Sequence, residues 1–553
     1  MPDTPANTFD FIIVGAGSAG CTLAARLTEH KHCRVCLIEA GGKDSNPLIH
    51  IPFGLALLSR VKAINWNYNT LAQAHLNNRE LYWPRGKTLG GSSSVNAMCY
   101  IRGVPEDYND WAQQGAEGWD WDSVLPYFKK SEGYQRQADD YHGVNGPLCV
   151  DDLRFVNPMS QTFVDAARDV NLPISADFNG AQHEGLGIYQ VTHKGGQRCS
   201  TAKSFLALAQ DRPNFTLVTH ALVEKVIIEN NRAQGVAIQV NGQSQIIHAE
   251  KEVILSAGAI NSPQLLMLSG VGPQQHLAEH GIEMKQNVAG VGQNLQDHLD
   301  AIVQYRCKTK ESYAVALAKL PRYVQAALRY WRKRNDILSS NIAEAGGFVR
   351  SDFAADVPDI QFHFLPAILQ DHGRQTALGY GFGLHICNLY PKSRGTITLA
   401  SADPAQPAII DPQYLSHPDD QKVMIDGIRK GRAILQSQGF AQYQGEEVLP
   451  GKDINSDEAL LAFIKQHAET IYHPVGTCKM GADNDDMAVV DEKLNVRGVM
   501  GLRVADASVF PRLVGGNTNA PTIMVAERAA DFIHQQYHLA GGTNCRSSIM
   551  KVA

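Results

Sequence analysis

The stretch "FDFIIVGAGSAGCTLAARLTE" at 9–29 limits the fold more than any other part of the chain. A short apolar run that ends in glycines and continues into a small-residue helix pattern reads as a buried strand feeding a helix. Gly15, Gly17 and Gly20 stand in GxGxxG spacing. The first permits a tight turn, the second lets backbone approach a pyrophosphate, and the third lets helix and strand pack closely. Ser18 and Ala19 complete the turn, where the helix's positive end favours phosphate. A second strand, "CRVCLIEAGG", ends at Glu39 and Ala40, about twenty residues on, where a carboxylate can accept hydrogen bonds from ribose hydroxyls and disfavours a 2′-phosphate. These elements, in this order, predict an α/β chain with a Rossmann-like dinucleotide-binding domain. They leave NAD and FAD both open.

At 553 residues the chain exceeds one simple core, so two or more intertwined domains are expected. No apolar run approaches the ~18 residues of a membrane span. A formal charge of −6 with mixed signs gives no field for nucleic acid. The start "MPDTPANTFDFIIVG" lacks the features of a secretory signal, which points to the cytoplasm. Ten scattered cysteines fit a reducing compartment. Cys33 and Cys36 lie in a strand-like segment rather than before a helix, so a redox pair is not expected.

Four further motifs follow: "WPRGKTLGGSSSVNAMCYIRG" at 83–103, "GAINSPQLLMLSGVG" at 258–272, "NVAGVGQNLQDHL" at 287–299 and "RVADASVFPRLVGGNTNAPTIMVAERAADFI" at 503–533. With the opening motif they span nearly the whole chain, which resembles the glucose-methanol-choline oxidoreductase family. The resemblance implies FAD. It implies contacts from Gly90, Ser92, Asn96 and Ala97 in the second glycine-rich loop, from Trp66 near the pyrophosphate, and from Val223, whose backbone would hold the adenine. It also implies a second strand-to-helix turn at Ala257 and contacts from Asp506 and Ala507. Val95 stands where some members carry a histidine bonded to the flavin, so FAD is expected to be non-covalent. Thr518 and Pro521 sit at a helix start whose N-terminus, aimed at the flavin, would stabilise negative charge on the reduced ring. An FAD-binding domain is expected from 1–155, 196–300 and 501–540, with a lid-like segment at 48–80. A substrate domain on an antiparallel sheet with helices is expected from 156–195 and 301–500, and a flexible tail from 541–553.

"AETIYHPVGTCKMG" at 468–481 sets His473 before a proline, with Cys478 nearby. Taken alone, His473 can be a core residue, a metal ligand or a base. No neighbouring ligand pair completes a metal site, so no metal is expected. The resemblance places His473 opposite flavin N5 and puts the second site residue at Asn517. The expected chemistry is removal of an alcohol's hydroxyl proton by neutral imidazole while hydride leaves the carbinol carbon for N5, with Asn517 holding the substrate oxygen. His363 and His385 alternate like sheet residues and can face the pocket. His298 has no role that the sequence supplies.

Similarity is closest to members that oxidise primary aliphatic alcohols to aldehydes and pass electrons to a quinone or other acceptor. Choline dehydrogenase, with Glu344 as the cation's carboxylate, is the alternative; an oxygen-using alcohol oxidase is another. A catalytically inactive flavin-binding protein is the non-enzymatic one. The segment 312–335 carries six basic residues and no acidic one, with Leu317, Leu320, Val324, Leu328 and Trp331 at helical spacing. The plain reading is a solvated basic face over a buried stripe. The other is peripheral docking on the inner face of a membrane. "LIHIPFGLALL" at 48–58 reads as a pocket lid or a second membrane contact.

Overall fold

The computed structural model describes residues 7–368, 374 and 378–539. The expected tail at 541–553 lies outside the described residues. The opening apolar run forms strand Thr8–Val14, the glycine loop turns the chain, and helix Ser18–Leu27 follows. Strand Thr8–Val14 lies between Val35–Ile38 and Gln243–Leu255, parallel to both. Phe215–Val218 extends the sheet beyond Val35–Ile38, and Leu502–Val504 pairs in parallel with Gln243–Leu255. The hairpin Ala221–Glu229 and Arg232–Val240 closes the other edge in antiparallel sense. Three parallel strands buried on both faces need apolar side chains throughout, and Phe11, Ile12, Ile13, Val35, Leu37, Val253 and Ile254 provide them.

The second sheet is antiparallel, in the order Gln444–Leu449, Leu299–Cys307, Gly381–Asn388, Ile360–Leu365, Ala345–Val349, Gly185–Ile188. Its strands sort their side chains by period two. Phe362, Phe364, Phe382, Leu384 and Ile386 share one core with residues of helix Pro418–Leu435. That helix comes close because Gly427 and Gly431 lie over Ile386; a Cβ on Gly427 would stand 2.6 Å from its Cγ2. Gln361, His363 and His385 alternate with those apolar residues and so face the opposite way, toward the first sheet.

Two expectations differ from the packing. The substrate segment was expected to run to 500. However, Val475, Cys478, Met480, Val490, Leu494 and Val496 pack in the core of the parallel sheet, and the last strand of the second sheet is Glu469–Thr470. The turn after Thr470 carries the chain back across. The second difference is the apolar stripe of 312–335. Helix Leu320–Lys333 opens with Pro321 as expected, but it buries only Ala326 and Tyr330. Leu317 is 92% exposed, Leu320 60%, Val324 54%, Leu328 54% and Trp331 75%. The stripe faces solvent because the helix rests on the neighbouring face, where the small Ala326 allows close contact. Among the described residues no helix is long and apolar enough to cross a membrane.

Candidate active site and cofactor cradle

Between the two sheets lies a cavity of about 430 Å³. The glycine loop forms part of its floor. A Cβ on Gly15 would stand 2.6 Å from the Ser256 carbonyl oxygen, and one on Gly20 would stand 1.9 Å from the Gly15 oxygen, so both must be glycine to close the turn and seat the helix. Gly17 has no protein atom within 4 Å of that position and lines the cavity with Gly15, Ser18 and Ala19. Gly91 presses on it from the second loop, where a Cβ would meet the Gly17 Cα at 2.7 Å. This bare backbone, beside a helix N-terminus, fits the pyrophosphate of a dinucleotide.

The other predicted contacts converge on this cavity with three exceptions. Glu39, Ala40, Trp66, Ser92, Asn96 and Ala97 line it, as do Val223, Ala257, Asp506, Ala507, Asn517 and Thr518. Gly20 lies beneath the loop. Gly90 lies behind the second loop, its N–H donating to the Ala16 oxygen at 2.8 Å, while Gly91 and Ser92 take the lining positions. Pro521 is buried as the third residue of helix Asn519–Gln536 and leaves the cavity to Thr518, Asn519 and Thr522. Glu39 accepts from the N–H groups of Ala16 at 2.9 Å and Gly41 at 2.7 Å. Burial carries its carboxyl up to about 7, against those two donors. Asp506 accepts from Gly258 N–H at 2.8 Å and the Ser262 hydroxyl at 2.6 Å, tying the strand-to-helix turn at Ala257 to the later motif. No side chain caps helix Asn519–Gln536, so its first-turn N–H groups are available to an acceptor in the cavity.

His473 lines the same cavity. Its backbone is held at three points. The Tyr472 N–H donates to Thr470 Oγ1 at 2.8 Å, Arg85 donates to the Tyr472 carbonyl at 2.6 Å, and His473 N–H donates to Asp297 Oδ1 at 2.6 Å. Tyr472 adopts a φ of 68°, which a non-glycine residue holds only when its surroundings enforce it. Asp297 also accepts from Thr470 and Tyr414, and burial raises its carboxyl to about 6.

The ring is oriented by His298, a residue that sequence reasoning left without a role. His298 Nε2 lies 3.0 Å from the Leu389 carbonyl, which can only accept, so Nε2 carries the proton. Its Nδ1 is then an acceptor, 2.9 Å from His473 Nδ1, which must therefore be the donor. His473 Nε2 is left unprotonated, and Asn517 Nδ2 donates to it at 3.3 Å. The Asn517 amide is fixed in turn, because its Oδ1 accepts from Gln361 Nε2 at 3.1 Å. Burial first, then the charges that His298, His363 and Arg85 would place nearby, hold the His473 pKa well below the ordinary histidine value. At neutral pH it is a neutral proton acceptor beside an amide N–H donor.

Several chemistry-bearing side chains do not join the site. Glu344 is fully buried, accepts from Ser160 Oγ and Asn157 N–H at 2.7 Å each, and is also bonded by Tyr313 and Ser340. It does not line the cavity, so it is not the cation's carboxylate. Cys478 is a buried packing residue whose thiol burial pushes far up. Among the described residues no cluster of histidine, cysteine or acidic side chains could hold a metal. His363 and His385 do face the cavity, and His385 is bonded to Asp300 behind it. From 48–58, where a lid is expected, Leu55, Ala56 and Leu58 wall the cavity.

Models of the GMC oxidoreductase N- and C-terminal regions match residues 9–300 and 391–526. An alcohol dehydrogenase [acceptor] of Pseudomonas putida is 52% identical over 96% of this chain and 97% of its own. An oxygen-dependent choline dehydrogenase of Photobacterium profundum is 43% identical over 95% of this chain and 93% of its own. A solved structure of Aspergillus oryzae formate oxidase, concerned with its FAD modification, superposes with a TM-score of 0.90 at 29% identity, covering 97% of this chain and 99% of that one.

Proposed function

This chain belongs to the GMC oxidoreductase family, and we propose that within it the chain oxidises primary aliphatic alcohols to aldehydes, with non-covalent FAD as the bound oxidant and a quinone-like compound as the terminal acceptor. FAD, when bound, supplies the acceptor for the two electrons that leave the carbinol carbon as hydride. The glycine loop and helix Ser18–Leu27 would hold its pyrophosphate, Glu39 its ribose, the Val223 backbone its adenine, and the first turn of Asn519–Gln536 the charge on its ring. Val95 offers no atom for a covalent link.

The alcohol's hydroxyl donates to His473 Nε2, and Asn517 Nδ2 donates to the same oxygen. As the proton passes to Nε2, oxygen gains the electron density that lets the carbinol carbon release hydride. The His298 contact keeps Nδ1–H in place, so the imidazole cannot turn its lone pair away. The observation that carries this reading is the pairing of an unprotonated Nε2 with a fixed amide donor in a largely apolar cavity.

The choice of alcohol follows from what the cavity lacks. Its only acidic lining residues among those described are Glu39 and Asp506, both on the dinucleotide-binding framework. Its wall also carries Ile342, Leu365, Leu55 and Leu58, which favours an alkyl chain over a quaternary ammonium. The test is anaerobic bleaching of the purified yellow protein by hexanol, benzyl alcohol and choline, then reoxidation by oxygen or a soluble quinone. Hexanol should bleach fastest and quinone reoxidise faster than oxygen. Choline as the best reductant, or peroxide formed at every turnover, would overturn the substrate or the acceptor assignment respectively.

A further inference from the structure

Helix Leu320–Lys333 has three faces, and the fold uses two. Ala326 and Tyr330 turn inward. Arg322 and Arg329 lie to one side and pair with Asp336. Between the inward face and the cations stand Leu320, Val324, Leu328 and Trp331, more than half exposed, with Leu317 before them. Val315 and Leu378, exposed by 59% and 68%, pair through a β-bridge near the helix start and extend the patch. Soluble proteins seldom leave so many large apolar side chains side by side without a contact surface. Arg332 and Lys333 form no ion pair among the described residues; at about 3.6 residues per turn Arg332 falls beside the stripe, next to Leu328, and Lys333 on the far side of the helix.

We infer that this face docks the protein onto an anionic lipid bilayer, with Leu320, Val324, Leu328 and Trp331 entering the headgroup–acyl boundary and Arg332 meeting lipid phosphates. The charge pattern selects this partner over a second copy of the chain. The segment 312–335 carries no acidic residue, so a second copy packed on the same face would offer Arg332 no counter-charge, whereas an anionic surface complements both the cation and the stripe. The location supports it too. Beneath the helix, Tyr323 packs with Phe53, Ala56, Ile342 and Leu365 in one cluster. Ala56, Ile342 and Leu365 from this cluster also wall the active-site cavity, and Leu57 of the lid is 47% exposed beside them. Docking therefore sets the cavity's apolar wall next to the lipid, where a long-chain alcohol and a lipid-soluble quinone partition. That use rests on the alcohol-dehydrogenase reading above; the docking itself rests on the surface alone.

The test uses the FAD-loaded full chain and sedimentation with vesicles of phosphatidylcholine alone or mixed with phosphatidylglycerol. The mixed vesicles should bring down the enzyme and the zwitterionic ones much less. Trp331, the only highly exposed tryptophan of six, should shift its emission to the blue and be quenched by brominated lipid. Arg332→Gln should weaken partitioning about fivefold. Leu320→Ser with Leu328→Ser, which keeps Trp331 as the reporter, should abolish the blue shift. Both variants should keep FAD and wild-type turnover of hexanol with a soluble dye, which excludes misfolding. Equal binding to both vesicle types, or binding unchanged in both variants, would overturn the inference. So would an enzyme that ignores vesicles and is a dimer that the serine variant makes monomeric. If vesicles bind as described but no alcohol bleaches the flavin, the docking stands and the functional reading falls.

Discussion

Replacing His298 with leucine removes the acceptor of the His473 Nδ1–H without touching the cavity wall, since His298 stands behind His473 and does not line the cavity. The donor is left buried and unpaired, at a cost of about 1–3 kcal/mol. His473 escapes that cost by rotating or by moving its proton to Nε2, and either change removes the lone pair from the substrate. The rate constant of flavin reduction by hexanol should therefore fall ~10- to 100-fold, while the affinity for FAD stays near wild type. A second effect separates orientation from a general loss of packing. His298 accepts the His473 Nδ1–H, a contact that favours the charged ring, and leucine replaces it with an apolar side chain, so the His473 pKa falls further. A base works above its pKa, so the acid limb of the reduction rate moves to lower pH. His298→Gln, whose amide can donate to the Leu389 carbonyl and accept from His473, should recover most of the rate. Stopped-flow reduction across pH measures both effects. A leucine variant with wild-type rate and an unmoved acid limb would refute the tautomer argument.

His473→Ala should bind FAD and lose ~10²- to 10⁴-fold in its reduction rate, read by the same method. Asn517→Ala, which removes the donor to the substrate oxygen, should cost ~10²- to 10³-fold in that rate, with a smaller effect on hexanol binding. Gly20→Ala places a methyl 1.9 Å from the Gly15 oxygen, so the purified protein should come out colourless or poorly soluble. His142 lies between Glu132 and Asp177; burial pulls its pKa down, but the Asp177 and Glu132 hydrogen bonds carry it up to about 9. Its contribution to stability is complete below pH ~6.5, the usual value for histidine, and is lost as pH rises through about 9. Chemical denaturation should show this decline, and His142→Asn should flatten it.

The parts of the site legible in the sequence are those that short-range stereochemistry dictates. Gly15, Gly17 and Gly20 had to be glycine for reasons confined to one turn, and the strand–turn–helix around them could be read locally. Gly90 was placed one residue from the lining Gly91 because a glycine-rich loop has no period to fix its register. The controls on His473 were not legible. Asp297 and His298 reach it across 176 and 175 residues, and Arg85 reaches Tyr472 across 387. Nothing in "NLQDHL" announces its partner. The basic helix shows a different limit. Its spacing revealed an apolar stripe, but which side of a helix is buried depends on the surface that receives it, and here Ala326 and Tyr330 are received instead.

The electrostatics of the histidine group bear on how the proposed base completes a cycle. Burial and neighbouring imidazoles push His298 down to about 3 and His363 to about 4, and His473 lies well below its usual range. Each ring opposes a charge on the others, so the group accepts one proton at most near neutral pH. A proton taken from an alcohol on His473 thus sits in an unfavourable place unless negative charge forms near it. With FAD bound, its reduction would supply that charge, and the uncapped start of Asn519–Gln536 would stabilise it. Proton uptake and electron uptake would then be coupled by one local field. The same field would ease release of the proton once the electrons had left for the acceptor. On this account a neutral imidazole with a depressed pKa is suited to the task, because it holds the proton only while the reduced cofactor persists.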